Sequence, residues 1–406
     1  MTRFGIDAMS LYSPRFCVSA LDLAEACGRQ REVASARLLL GQRAVAPPYE
    51  DAVTMAVNAA RQILTPDIAS TVELLIVGTE SAIDFGKPVS SWVHRHCKLP
   101  ANCRNFEIKH ACYGATGALK MAIGWLQAQR RESSALVIAT DLTRPFPQEG
   151  YEFAGGASAI AMLLRANPRI LEIDLDRCGY WADEVADTFR PTATTEIGDN
   201  QISLFSYLDA LEGSYDDYVS RCGEIAFNDH FSAHIYHAPF PGMTRDAHRT
   251  MLRSQADLND EQIEDDFVRK VKPALHYAQR VGAAYGASNF VCLLGMLRNR
   301  SDLDADSRIS LFAYGSGCQG EFYEARLGSN PAAGICLKAI DESLDNRKLL
   351  NVGAYRAMED CRQAGIEAAD CRPLSPQDRD FSEMYGGRNL LVLEDVRNFR
   401  RNYVWS

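Results

Sequence analysis

Arg104-Asn105-Phe106-Glu107-Ile108-Lys109, followed by His110-Ala111-Cys112-Tyr113-Gly114-Ala115-Thr116-Gly117 and an apolar run over 118–129, is the stretch that decides the fold. It reads as a strand, a glycine-punctuated turn and a helix apolar on most faces, and such a helix is buried. Upstream, Val72-Glu73-Leu74-Leu75-Ile76-Val77-Gly78 is a short β-branched run typical of a buried strand, with Thr79 and Glu80 at its carboxyl end. Downstream, Leu136-Val137-Ile138-Ala139-Thr140-Asp141 supplies another strand, and Gly155-Gly156-Ala157 leads into 158–164. This alternation is that of an α/β protein.

Part of the order recurs. Tyr113-Gly114-Ala115 returns as Tyr285-Gly286-Ala287, each tripeptide opening an apolar helix that precedes a strand ending in a turn. Those strands are 136–140 and 309–314, the second running into Gly315-Ser316-Gly317. The shared order predicts a duplicated α/β fold divided near Asn167-Pro168, with an N-terminal half at 1–168 and a C-terminal half at 169–406. Residues 183–220, polar and aromatic with few strand patterns, are expected to form an excursion over the surface or the site.

A chain of 406 residues has room for two to three domains or one large duplicated one. Its 47% hydrophobic and 24% charged residues are the composition of a soluble globular protein. With 43 Lys+Arg against 53 Asp+Glu the net charge is -10, which repels a phosphate backbone, so nucleic acid is not an expected partner. No apolar run reaches the roughly 18 residues of a membrane span, and Met1-Thr2-Arg3-Phe4-Gly5-Ile6-Asp7 is too polar for a signal-peptide core. A cytoplasmic protein without membrane contact is expected. Its 12 cysteines show no C-x-x-C pair and read mostly as small buried hydrophobes in a reducing compartment.

Cys112 stands where unpaired helix N–H groups and the helix dipole favour a thiolate, which predicts a pKa below the free value of about 8.5. It also reads as one more buried cysteine. Glu80, following an apolar strand, is placed for partial desolvation and work as a base, or else for capping the chain from Ser81 onward. His230, His234 and His237 fall within eight positions, but a strand there points His234 and His237 to opposite faces, and no metal is expected. His237, at the strand end before Pro239, can protonate or hydrogen-bond a carbonyl oxygen, while His230 and His234 read as structural. Gly315-Ser316-Gly317 can offer backbone N–H groups to an oxyanion or be only a turn. Neither a P-loop nor a G-x-G-x-x-G opening a helix is present.

Gly78-Thr79-Glu80-Ser81, Ala111-Cys112-Tyr113-Gly114-Ala115-Thr116, His237-Ala238-Pro239-Phe240 and Tyr314-Gly315-Ser316-Gly317-Cys318 together resemble, in order and approximate spacing, the 3-hydroxy-3-methylglutaryl-CoA synthases. The resemblance runs from Gly5-Ile6-Asp7 to the closing segment 391–403. It implies the thiolase fold, two pseudo-symmetric α/β halves in a layered αβαβα arrangement, in a homodimer. It further implies Cys112 as the acyl-accepting nucleophile, passing through an acetyl-cysteine intermediate. Glu80 is implied as general base and acid, and His237 as the residue that orients and polarises the acceptor's β-carbonyl. Gly315, Ser316, Tyr285 and Pro239 are implied at the substrate.

Pro47-Pro48-Tyr49-Glu50-Asp51-Ala52-Val53, Asn102-Cys103-Arg104-Asn105-Phe106-Glu107, and His237 to Phe240 followed by Met243 and Ala247-His248-Arg249 are similar to the branch that serves polyketide β-branching. That implies phosphopantetheine thioesters of donor and acceptor acyl carrier proteins as substrates, with no permanently bound cofactor. Two positions depart from the wider family. Gly242 replaces the Lys that mevalonate-type enzymes carry five residues after the active-site His, and Val281-Gly282-Ala283 offers a methyl where an Asn is common. Carrier proteins are acidic, so a basic docking face is expected, formed by Arg245, His248, Arg249 and Arg253; these residues read equally as a solvated helix face balanced by Asp246 and Asp257. The alternatives are a mevalonate-pathway synthase using acetyl-CoA and acetoacetyl-CoA, and a non-catalytic scaffold that binds carrier proteins. A decarboxylating ketosynthase has no base equivalent to Glu80.

Overall fold

In the computed structural model of the chain, which describes residues 2–129, 132–143, 152–375 and 378–406, nine strands hydrogen-bond into one mixed sheet. They are β1 (Phe4–Tyr12), β2 (Val72–Gly78), β3 (Arg104–Ile108), β4 (Ser134–Leu142), β5 (Ala157–Ala166), β6 (Leu171–Ala182), β7 (Ala233–Tyr236), β8 (Arg308–Gly315) and β9 (Gln319–Leu327). The order across the sheet is β7-β8-β9-β6-β1-β5-β4-β2-β3. Near-continuous Val, Ile, Leu and Ala runs, as in β4 with every residue buried, are what strands covered on both faces require.

The duplication is written in the strand directions. In the first half β1 is antiparallel to β5, β5 to β4, and β4 runs parallel to β2. In the second, β6 is antiparallel to β9, β9 to β8, and β8 runs parallel to β7. β3, parallel to β2 at the sheet's edge, has no counterpart beyond β7 among the described residues. The halves join where β1 pairs with β6 through Gly5 with Glu172 and Ile6 with Leu171.

The helices that matter to the site are α1 (Gly114–Ala128), α2 (Asn200–Cys222), α3 (Met243–Gln255), α4 (Asp260–Lys270) and α5 (Ser288–Asn299). α1 packs on β2 and β4, α5 on β7 and β8, and both helices meet the turn Tyr285–Ala287, so they form the middle layer. The helix Ala52–Ala60, buried at all nine positions and closed by a capping box between Asp51 and Thr54, packs on β1, β4 and β5. On the other half α2 covers β6 and β9. Helix, first half of the sheet, central helices, second half of the sheet and helix therefore follow one another, the α/β arrangement of thiolase-like proteins.

Within 183–220 the excursion is real only as far as a short hairpin, Thr188–Phe189 with Ile197–Gly198, and the segment leading into it; from Asn200 on the chain is the 23-residue helix α2. Its buried stripe is Tyr207, Ala210, Leu211, Ser214, Tyr215 and Tyr218. That spacing is helical, but its large members are tyrosines set among acids, so it reads as polar. The C-terminal segment returns to the first half: Lys348–Leu350 pairs in parallel with Phe16 to Val18, and the Asn58 amide both donates to and accepts from the Leu391 backbone. No helix among the described residues is long and apolar enough to cross a membrane.

Candidate active site

Cys112 sits on the turn between β3 and α1, two residues before the first helical residue. The turn is tight: Tyr113 N–H bonds His110 O at 2.9 Å, and Ala111 takes the left-handed value φ 38°. A Cβ at Gly315 would lie 2.7 Å from His110 O and one at Gly286 would lie 3.2 Å from Cys112 O. Glycines at these two places let the β8 turn and the second repeat close on the Cys112 loop. Tyr113 is then locked from behind, its hydroxyl donating to Glu321 Oε2 at 2.7 Å while Lys120 Nζ lies 2.9 Å from Glu321 Oε1.

Glu80 follows β2, and the Cys112 thiol donates to its Oε1 at 3.5 Å. Burial first, then the nearby Asp141 carboxylate, push the Glu80 carboxyl up to about 8. Asp141, at the end of β4, is held by four donors on its Oδ1: Glu80 N and Thr79 Oγ1 at 2.9 Å, Ser81 N at 3.1 Å and Ser81 Oγ at 2.9 Å. Burial pushes Asp141 up as well, to about 7, against those donors, so both carboxyls of the pair are driven toward protonation and Glu80 the further of the two.

The predicted low-pKa thiol is not what the structure shows. Burial, with Glu80, Asp141 and Glu196 all nearby, pushes the Cys112 thiol well above its ordinary value. The helix start contributes only a partial positive charge, and desolvation plus three acids outweigh it. A thiol in this setting needs a proton acceptor within reach, and Glu80 Oε1 is the carboxylate oxygen that takes its hydrogen bond.

Sequence reading missed Arg190. Carried by the hairpin, it donates through Nη1 to Glu80 O at 2.8 Å and through Nη2 to Glu196 Oε2 at 2.6 Å and the Tyr285 hydroxyl at 2.8 Å, with Nη2 3.7 Å from Glu80 Oε2. Its charge favours the Glu80 carboxylate against burial. Tyr285, expected at the substrate, is thus tied to Arg190 and holds the left-handed value φ 45°.

His237 lies one residue past β7 and is buried, its N–H bonded to Phe312 O at 2.8 Å. Its Nδ1 faces Asn289 Oδ1 at 3.2 Å, and burial lowers the imidazole to about 4, against that hydrogen bond. Pro239 is half-buried two residues on. In the glycine loop the Gly317 N–H is taken by Asp187 Oδ1 at 3.1 Å and is not free for an oxyanion, which leaves Gly315 and Ser316 of the expected set.

The expected docking face needs correction. His248 is fully buried, bonded to Asp266 at 3.0 Å and to the Tyr236 hydroxyl at 3.1 Å, and can contribute nothing to a surface. Arg245 is paired with Glu264 at 3.3 Å and Arg253 with Asp260 at 2.9 Å, so acids on α4, rather than Asp246 and Asp257, balance these cations. Arg249 is half-buried. His234, His248 and Asp266 form a buried cluster spaced as metal ligands could be, but Asp266 already bears Arg269 at 2.5 Å and Lys270 at 3.4 Å, which would repel a cation. At Gly242 a Cβ would collide with the Arg37 carbonyl oxygen and sit 2.8 Å from Leu38 Cα, so no lysine fits there.

Residues 2–168 match the hydroxymethylglutaryl-coenzyme A synthase N-terminal domain and residues 260–405 the corresponding C-terminal domain. The chain is 37% identical, over the full length of both proteins, to the polyketide biosynthesis 3-hydroxy-3-methylglutaryl-ACP synthase PksG of Bacillus subtilis. It is 33% identical to the hydroxymethylglutaryl-CoA synthase of Enterococcus faecalis, over 87% of this chain and 91% of that one. Its structure is similar to that of the curacin biosynthetic pathway HMG synthase in complex with holo donor-ACP, with a TM-score of 0.94 and 35% identity across all of both chains.

Proposed function

The chain belongs to the hydroxymethylglutaryl-coenzyme A synthase family of carbon–carbon bond-forming acyltransferases, and from that premise we propose that it acts on carrier-protein thioesters in polyketide β-branching. The observation that carries the reading is the contact between the Cys112 thiol and Glu80 Oε1, a nucleophile and a base on one hydrogen bond. Full-length likeness to relatives named for carrier-protein chemistry supports the substrate class, as does a backbone that leaves no room for a lysine at Gly242.

The Cys112 sulfur attacks the acetyl thioester of a donor carrier protein, and its proton passes by way of Glu80 to the departing pantetheine thiol. Glu80 then removes a proton from the acetyl methyl, and the carbanion adds to the β-ketone of a polyketide on an acceptor carrier protein, where His237 orients the ketone. The new alkoxide takes back the proton from Glu80. Water cleaves the Cys112 thioester and frees a 3-hydroxy-3-carboxymethyl product. Arg190 keeps enough of Glu80 ionised to serve as base, and Ser316 and Gly315 border the reacting carbonyl.

The outer face of α3, with half-buried Arg249 and exposed Arg253, is the proposed carrier-protein contact. A second copy of the chain is the proposed partner of β3, whose outer edge pairs with no strand among the described residues and whose Phe106 is 37% exposed. Intact-protein mass spectrometry tests the function: acetyl carrier protein should add about 42 Da, one acetyl group, to the native chain and nothing to Cys112→Ala. No adduct from either carrier protein or coenzyme A donor would leave a scaffold.

A further inference from the structure

Asn289 is buried at 1% exposure on the first turn of α5, on the face toward β7 and β8. Its amide makes two contacts whose polarity is fixed by chemistry. Nδ2 lies 2.8 Å from Phe312 O, and a carbonyl oxygen can only accept, so Nδ2 is the donor and the amide cannot be turned around. Oδ1 therefore points at His237 Nδ1, 3.2 Å away, and an amide oxygen can only accept as well. The proton at this contact must belong to Nδ1. Phe312 O also takes the His237 backbone N–H at 2.8 Å, so one carbonyl of β8 anchors both the main chain of the histidine and the amide that holds its ring.

From this closed arrangement we propose that Asn289 is a positioning residue that fixes His237 in the Nδ1–H tautomer, leaving Nε2 as the single ring atom through which the histidine meets an incoming thioester. The inference rests on the reading of His237 as the residue that orients the acceptor ketone. It also sharpens that reading: a neutral ring so held has only a lone pair at Nε2, and it becomes a donor to a ketone oxygen once protonated there. Asn289 Oδ1 serves that change too, since it accepts from Nδ1–H in the neutral and in the charged ring. The segment Val281-Gly282-Ala283 carries no side-chain amide, and Asn289 supplies one six residues later, at the histidine.

The assignment is tested by nitrogen-15 NMR of imidazole-labelled protein at neutral pH, with Asn289→Val and Asn289→Asp alongside the native chain. The native His237 should show a protonated Nδ1 and a bare Nε2. Asn289→Val, smaller by one atom and without an acceptor, should populate the Nε2–H tautomer and raise KM for the acceptor thioester about tenfold, as loss of a buried hydrogen bond allows, while acetylation of Cys112 stays within about twofold. Asn289→Asp should restore the Nδ1–H signature and raise the pH at which His237 titrates. A native ring protonated at Nε2, or an unchanged tautomer and acceptor KM in Asn289→Val, would overturn the proposal. If the valine variant does not fold, an unmoved His237 titration in Asn289→Asp does so instead. Failure of acetylation in the native chain would count against the proposed function and leave the tautomer result standing.

Discussion

Glu80 Oε1 accepts from the Cys112 thiol at 3.5 Å, and the two residues reach this contact from different strands, β2 and β3, that run parallel as neighbours. One carboxylate is thereby within reach of the nucleophile's proton and of any acyl group the sulfur carries. Because burial and Asp141 push that carboxylate up to about 8, its charge state is the variable on which the chemistry turns.

Condensation should be pH-dependent on that account. Abstraction of a methyl proton needs the carboxylate, so below pH 8 the rate should rise about tenfold per pH unit and level off above it. Arg190→Gln removes a charge that favours the carboxylate and should move the rising limb to higher pH; an unmoved midpoint would contradict the role given to Arg190.

Lys120→Met should destabilise the fold. Glu321 is fully buried with Lys120 as its ion-pair partner, and leaving a buried charge unpaired costs about 3–5 kcal/mol, readable in urea unfolding. Adding Glu321→Gln should recover part of the loss, and a single variant as stable as the native chain would refute the pairing.

Gly242→Lys should cost about 1–3 kcal/mol, since the new Cβ meets the backbone of Arg37 and Leu38, and it should confer no added use of acetyl-CoA. A native-like unfolding midpoint with faster acetylation from coenzyme A would show that the loop yields and that a missing lysine sets the donor.

Reversing charge with Arg249→Glu and Arg253→Glu should slow acetyl transfer from carrier protein more than from a small thioester. The Arg253 ion pair with Asp260 is exposed on both sides and worth little to the fold, so stability should hardly change. Equal slowing with both donors would remove α3 from the docking account.

The strands and central helices were legible because their apolar runs are long and aliphatic: the run from Val72 to Gly78 is β2 without a residue's difference. Glu80 and Cys112 were legible as a strand-end acid and a helix-start thiol. Arg190 was not, because a hairpin brings it back over the site, onto Glu80, which lies 110 positions away in sequence. Asn289 was hidden inside an apolar helix, where only the fold reveals that it faces His237. His248 was misread because, on an amphipathic helix rich in Arg, a histidine on the buried face looks like one more surface cation; Asp266 on α4 is what makes its burial tolerable. The thiol's high pKa was out of reach as well, because three acids converge on Cys112 from distant segments.

The division of labour between Cys112 and Glu80 is tested most directly by Glu80→Gln, mixed with acetyl carrier protein and an acceptor thioester and followed by intact-protein and product mass spectrometry. The account predicts an acetyl adduct that accumulates on Cys112 without condensed product. Normal condensation by this variant would show that Glu80 is not the base and would contradict the mechanism.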